Sequence, residues 1–306
     1  MQKKIYCPDI ECESCVKIIT KAFERLQGIE KFEVGKTAID VTFNESLIKE
    51  ENIIATIKEK GYRASLDPYT RKQIRERTKE FLTDKKKYAV EHLILEQITL
   101  TFFILIMIDI TFFYFKNQID PTFFGKYAWW IFYLSLAIVT ITGAIWHFKA
   151  YRTQYTSMVG MMIGMTLGMQ TGMMIGAILG ATNGFFTGAL VGMILASAVG
   201  AYCGSCCGIM GIMEGIMAGM MGGTMGAMIS VMMFYQHILW FMPAFMILNI
   251  IILIGLSYMI FEEVVEENNQ IIKEPMSFKQ YLMLCLVSLF VLLSIIFLTP
   301  ASTFLA

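Results

Sequence analysis

Gly160-Met161-Met162-Ile163-Gly164-Met165-Thr166-Leu167-Gly168-Met169-Gln170-Thr171-Gly172-Met173 opens a stretch in which glycine falls at every fourth residue. The row continues through Gly176, Gly180, Gly184 and Gly188 to Gly192, and methionine directly follows each of its first four glycines. Residues 158–233 hold 17 of the 24 methionines and 18 of the 24 glycines, so the two residue types belong to one segment. Glycine at four-residue spacing in apolar surroundings lets helix backbones touch inside a bilayer. A thioether on every turn is a ladder of soft, polarizable sulfur. Helix packing and soft-metal handling are the two readings that the rest of the chain must separate.

Gly160–Gly208 is too long for one crossing: at about 1.5 Å per residue it would far exceed the ~30 Å hydrocarbon core. Ala181-Thr182-Asn183-Gly184 is the expected turn, with Asn183 facing outside. Hydropathy gives seven candidate spans, at about 93–115, 127–148, 157–180, 185–202, 208–233, 238–261 and 278–298. Tyr127, Trp129 and Trp130 at one end of the second span, and Trp146 and His147 at the other, form aromatic belts. Lys149 and Arg152 then mark a cytoplasmic loop. This part of the chain, 93–306, is expected to be an all-α polytopic membrane domain embedded in a lipid bilayer.

The second Gly/Met run begins directly after Cys203-Gly204-Ser205-Cys206-Cys207. Met210, Met213, Met217 and Met220 recur at three and four residues, one stripe beside a glycine stripe. Thiolates leading into thioethers, with hard ligands absent, suit Cu(I) or Ag(I) rather than Zn(II) or Mg(II). In the first row, by contrast, methionines filling gaps beside packed backbones account for the pattern equally well. Ionisable residues inside spans are costly, which singles out Glu214 among the methionines. Asp109 and Glu96 read as structural groups nearer to span ends, and His147 and His237 as interfacial anchors.

Lys plus Arg equals Asp plus Glu at 25 each, so net charge points to no acidic or basic partner. Most of the charge lies in residues 1–92. Residues 67–92 form a basic linker, expected to be helical, with the run Lys85-Lys86-Lys87. A basic run beside a first span is the positive-inside signal, and nucleic-acid binding is the discarded alternative. It puts the N-terminus in the cytoplasm, and the expected setting is a multi-pass protein of the bacterial inner membrane. Met1-Gln2-Lys3-Lys4 runs straight into a folded segment, so no signal peptide is expected. Seven cysteines, several closely paired, suggest thiolate sites facing a reducing compartment rather than a disulfide framework.

Residues 1–66 alternate strand and helix signals: strands over 3–7, 29–34, 38–43 and 62–66, helices over 13–26 and 50–60. The order βαββαβ gives an α+β ferredoxin-like head, with Gly61 as the expected C-cap of the second helix. Cys12-Glu13-Ser14-Cys15 lies where the first loop enters the first helix, and a helix N-terminus favours thiolate. Cys7, at a strand end, reads as packing.

A strand, loop, CxxC and helix in this sandwich resemble the heavy-metal-associated domain of copper chaperones and of metal-transporting ATPase N-termini. The resemblance covers about residues 3–66. It implies Cu(I) held by Cys12 and Cys15 in near-linear form, with Gly61-Tyr62 matching the closing Gly-aromatic pair. The family usually has Gly-Met before its CxxC, where this chain has Asp9-Ile10. A thioredoxin-like CxxC, the competing reading, would want a preceding aromatic residue and another strand order. In motif style the methionine-rich spans resemble eukaryotic copper uptake trimers, and Cys206-Cys207 beside such a head resembles mercuric-ion transport proteins. The Gly/Met segment also resembles a bacterial membrane segment that occurs beside such metal-binding domains.

The chain has no Asp-Lys-Thr-Gly phosphorylation motif, no Cys-Pro-Cys span, no P-loop and no nucleophile elbow, and it is not expected to be an enzyme. The leading expectation is a membrane protein that binds and translocates Cu(I), with Ag(I) or Hg(II) as other soft ions. Its metal ligands would be Cys12, Cys15, Cys203, Cys206, Cys207, Met210, Met213 and Met217. The head would exchange the ion with the CxxCC/Met site, and the glycine rows would serve a homo-oligomer. A copper chaperone or copper enzyme would be its partner. Two other classes stay open: a non-transporting delivery, assembly or sensor protein, and a thiol-disulfide oxidoreductase using Cys203 and Cys206.

Overall fold

The structure, a computed structural model, describes residues 2–8, 10, 13–35, 37–44, 47–60, 62, 64–68, 88–119, 123–152, 157–233, 237–262, 272–273 and 277–299. The chain is mostly helical with a small three-stranded sheet. It divides into two compact units, Met1–Lys87 with Thr153–Thr156, and Tyr88–Arg152 with Ser157–Ala306. The expected linker helix over 67–92 falls mainly outside the described residues.

The first unit runs β1 (Gln2–Tyr6), α1 (Glu13–Glu24), β2 (Ile29–Val34), β3 (Ala38–Phe43) and α2 (Glu50–Glu59). The sheet is antiparallel in the order β1-β3-β2, and Gly35 closes the β2–β3 hairpin by donating to the Ala38 carbonyl at 2.9 Å. Alternation places Ile39, Val41 and Phe43 of β3 on the covered face. Ile19 and Phe23 of α1 and Ile53 and Ile57 of α2 pack on them, at the helical spacing the sequence shows. Burying each of these side chains fully contributes about 1.5–3 kcal/mol, which is why the helices settle on one face. Cys7 is fully buried in this core, as packing requires. Within the segment expected as the last strand, Ser65 makes an antiparallel bridge to Tyr6, with backbone hydrogen bonds of 2.8 and 3.0 Å. Gly61 lies outside the described residues.

Among the described residues, the second unit contains seven helices long and apolar enough to cross a membrane, the pattern of a multi-pass membrane protein. They are α3 (Ala89–Asn117), α4 (Phe123–Ala150), α5 (Ser157–Asn183), α6 (Phe185–Gly204), α7 (Ile209–Met233), α8 (Ile238–Ile260) and α9 (Phe278–Leu298). At about 1.5 Å per residue even the 20-residue α6 covers about 30 Å, the thickness of the hydrocarbon core. A two-residue pairing of β4 (Tyr151–Arg152) with β5 (Ile272–Lys273) joins the end of α4 to the segment before α9.

Helices α5, α6 and α7 meet one another through glycine. A Cβ on Gly168 would lie 2.8 Å from the Gly215 carbonyl oxygen, and one on Gly164 2.8 Å from the Gly204 Cα. Gly200 faces Gly215, Gly192 faces Gly176 and Gly223, and Gly226 faces the Met173 backbone. These pairings run α5 and α7 parallel and α6 antiparallel to both. The glycine rows are therefore consumed inside one chain, as three mutual backbone contacts. Gly184 (φ 87°) turns α5 into α6 and Gly208 (φ 77°) leads into α7, both in a region that side chains disfavour.

Helix α4 packs against α3, α5, α8 and α9 and carries the unit's other buried surface. Two polar ties fix its surroundings. Ser135 of α4 donates to the Asp109 carboxylate at 2.7 Å, so Asp109 is buried between α3 and α4 rather than sitting near a span end. Asn183, expected in an outward turn, is buried, donating to the Ile296 carbonyl at 2.9 Å and to Thr299 Oγ1 at 2.7 Å. Asn183→Ala leaves these α9 acceptors unpaired, at about 1–3 kcal/mol. The expected outcome is a lower unfolding midpoint in a detergent thermal-shift assay, with the helical signal of the folded state retained.

Candidate metal centre

Helix α6 ends in Cys203-Gly204 and tightens into one 3₁₀ turn, Ser205–Cys207, before Gly208 redirects the chain into α7. The turn puts the Cys206 and Cys207 sulfurs 3.5 Å apart, far beyond a disulfide bond, with the Cys206 thiol donating to the Cys203 carbonyl at 3.3 Å. Both sulfurs rest against Gly160 in the first turn of α5. A Cβ there would overlap Cys207 Sγ and lie 2.9 Å from Cys206 Sγ. The Gly160 backbone N–H is hydrogen-bonded to Cys207. Gly160 lies in the first turn of α5, where the positive end of the helix dipole favours an anionic acceptor. The first glycine of the row thus makes room for two thiols, a role its spacing gave no sign of.

Lys149 brings a positive charge to the same end of this unit, its ammonium 4.8 Å from the centre of the Tyr202 ring. Cys206 is exposed and Cys207 half-buried, so ligands from outside reach the pair. Cys203 is fully buried, pointing into the helix contacts. Among the described residues no three His, Cys, Asp or Glu side chains converge on one point, so the pair stands without Cys203 as a third acid ligand. With sulfur–metal bonds near 2.3 Å, sulfurs 3.5 Å apart would subtend about 100° at a bound ion. That angle leaves a side open to an incoming third sulfur.

Met210, Met213 and Met217 are 62, 59 and 49% exposed. The glycines Gly211, Gly215, Gly219, Gly222, Gly223 and Gly226 take the side of α7 that meets α5 and α6. The stripe expected to continue the cysteine site therefore lies on the outer face of α7. Met161, Met169 and Met173 of α5 are half-buried flanks of its glycine contacts. Glu214 is half-buried on α7, Glu96 is exposed on α3, and His237 is exposed before α8 with a left-handed backbone.

In the first unit Cys15 lies in the first turn of α1, half-buried against the core. Cys12, its partner in the CxxC motif, is outside the described residues. One cluster joins residues that the sequence reading had not linked. His147 is buried, not an interfacial anchor: its Nε2 lies 3.9 Å from Glu91 Oε1, which also accepts a hydrogen bond from the Tyr151 hydroxyl. This cluster ties the start of α3 to the end of α4, the end of the unit that also carries Lys149.

Comparison of the chain with protein-family models, with curated proteins and with solved structures returns no match.

Proposed function

We propose that this is a multi-pass membrane protein that binds and moves a soft metal ion, Cu(I) foremost, with Ag(I) or Hg(II) as chemically similar cargo. The observation that carries the reading is the Cys206/Cys207 sulfur pair held against Gly160 at the N-terminus of α5. Two thiols beside the positive end of a helix are favoured as thiolates, and such soft donors select soft ions. The exposed side of the pair accepts the ion by ligand exchange, one sulfur replacing another, without a resident cofactor or covalent chemistry.

Residues 1–66 are read as a ferredoxin-like, heavy-metal-associated head. The sheet order β1-β3-β2 with Ser65 bridging to the other edge of β1 supports that reading. Cys12 and Cys15 of the head would load from the compartment into which Cys206 opens. The positive-inside pattern of residues 71–87 favours the cytoplasm of a bacterial cell for that compartment. The oxidoreductase alternative needs Cys203 as a partner in thiol exchange, and its complete burial weighs against it. Delivery without transport remains the rival, and flux separates the two. Proteoliposomes of the full chain are expected to take up Ag(I) and to lose uptake in Cys206→Ser/Cys207→Ser. Binding with no flux in the parent protein would instead identify a delivery or sensor protein.

A further inference from the structure

Asp109 is 6% exposed and lies about 12 Å of helix from the nearer end of α3 at Asn117. The hydrogen bond from Ser135 is the only polar contact of its carboxyl among the described residues, and no cation among them pairs with it. Its surroundings are apolar. Leu105, one turn back, is fully buried, and Phe113, one turn on, packs with Ile131 of α4 and Leu293 of α9. The other titratable groups of the packed helices are engaged elsewhere. On α4, Tyr133 lies against the Trp129 and Trp130 rings, and Tyr127 stacks on Phe123. On α9, the Tyr281 hydroxyl donates to the Val139 carbonyl, and Cys285 is hydrogen-bonded with Thr142 and Tyr281. Lys116 and Lys126 lie toward the helix ends, the Lys116 ammonium 5.8 Å from the centre of the Phe123 ring. Glu91 and His147 face each other at the opposite end of the α3–α4 seam.

A tie between two helices needs no acid here, since a serine or an asparagine would accept the same bond without the cost of an ion. An ionised carboxylate in apolar surroundings is costly, while the Ser135 donor favours that same ionised form. The two effects oppose each other, so the group is able to exchange a proton instead of being held in one state. The rest of the seam is polar in a related way. Thr101, fully buried on the same stripe of α3 as Leu105 and Asp109, has a hydroxyl without a hydrogen-bond partner among the described residues. Glu91 Oε2 and His147 Nδ1 are likewise buried and have none. Unpaired buried polar atoms are uncommon, and each of these belongs to a group that can carry a proton. We propose that Asp109 is the proton-binding site of the membrane unit, and that its proton exchange couples metal movement to the proton gradient. The bond between the proton and a carboxylate oxygen forms and breaks in exchange with water, and no other bond changes. The coupling rests on the soft-metal transport reading; the proton site does not.

The test is infrared spectroscopy of the full chain in proteoliposomes across a pH series. Asp109→Asn is expected to remove part of the carbonyl-stretch band of protonated carboxylic acids, and in the parent protein that part is expected to weaken as pH rises. Ser135→Ala, which leaves the carboxyl in place, is expected to shift the midpoint of this change. A band left intact by Asp109→Asn, or a midpoint unmoved by Ser135→Ala, would overturn the site. In parallel, Ag(I) uptake is expected to depend on an imposed pH gradient in the parent protein. Asp109→Asn is expected to lose that dependence while retaining the Ag(I) bound at Cys206 and Cys207. Uptake indifferent to the gradient in the parent would overturn the coupling. Absence of any uptake would overturn the coupling together with the transport reading, and the infrared result would still decide the proton site.

Discussion

Gly200→Val is expected to abolish assembly of the α5–α6–α7 unit. A Cβ at Gly200 would lie 2.7 Å from the Gly215 carbonyl carbon and 3.0 Å from its Cα, so the clash is with backbone. No side chain can rotate away to relieve it. Separating α6 from α7 would also open the neighbouring approaches of Gly204 to Gly211 and of Ser197 to Gly219, because rigid helices move as wholes. Inside a bilayer there is no hydrophobic drive to bring the helices back, and the lost dispersion contacts are the stabilising interaction itself. The loss should exceed about 3 kcal/mol, the upper range for an overpacked core. Gly125 and Gly255 are internal controls, since a Cβ at either meets nothing within 4 Å. Gly255→Val should stay within about 1 kcal/mol of the parent, mostly helix propensity. Size-exclusion profiles of fluorescent fusions, followed by thermal midpoints, separate these outcomes. A monodisperse Gly200→Val protein with the parent midpoint would refute the close contact.

The second large effect concerns metal. With Cys12 and Cys15 replaced by serine, the chain should still bind one Cu(I) through Cys206 and Cys207. Adding Cys206→Ser/Cys207→Ser should weaken that binding by more than about 100-fold, beyond the 10- to 100-fold that changes to outer-shell groups alone produce. Gly160→Val should act in the same direction without touching a ligand, because its Cβ fills the space of Cys207 Sγ. Met210→Leu should have the smaller effect, since its side chain points outward from α7. Competition with a Cu(I) chelator measures all four. A Gly160→Val protein that folds and binds like the parent would remove the pocket from the account.

The glycine row was legible as a packing surface because its period matches a helix turn and needs no knowledge of the partner. The turn at Gly184 was legible for the same local reason. Gly160 was not, because it looks like its neighbours in the row. Its role depends on a 3₁₀ turn 47 residues later that brings two thiols against it. Glu91, His147 and Tyr151 lie on different helix ends, and no spacing rule links them. The same holds for Asp109 and Ser135, and for Asn183 and the end of α9. The methionine stripe was visible on its helix, but its outward direction follows only once α5 and α6 are known to occupy the glycine side.

X-ray absorption at the copper edge most directly tests the central claim. The sample is the full chain carrying Cys12→Ser/Cys15→Ser, loaded with one equivalent of Cu(I). The predicted spectrum has a sulfur-only first shell containing two thiolates, and this shell disappears when Cys206 and Cys207 are also replaced. A shell of nitrogen and oxygen, or a sulfur shell that survives that replacement, would contradict it.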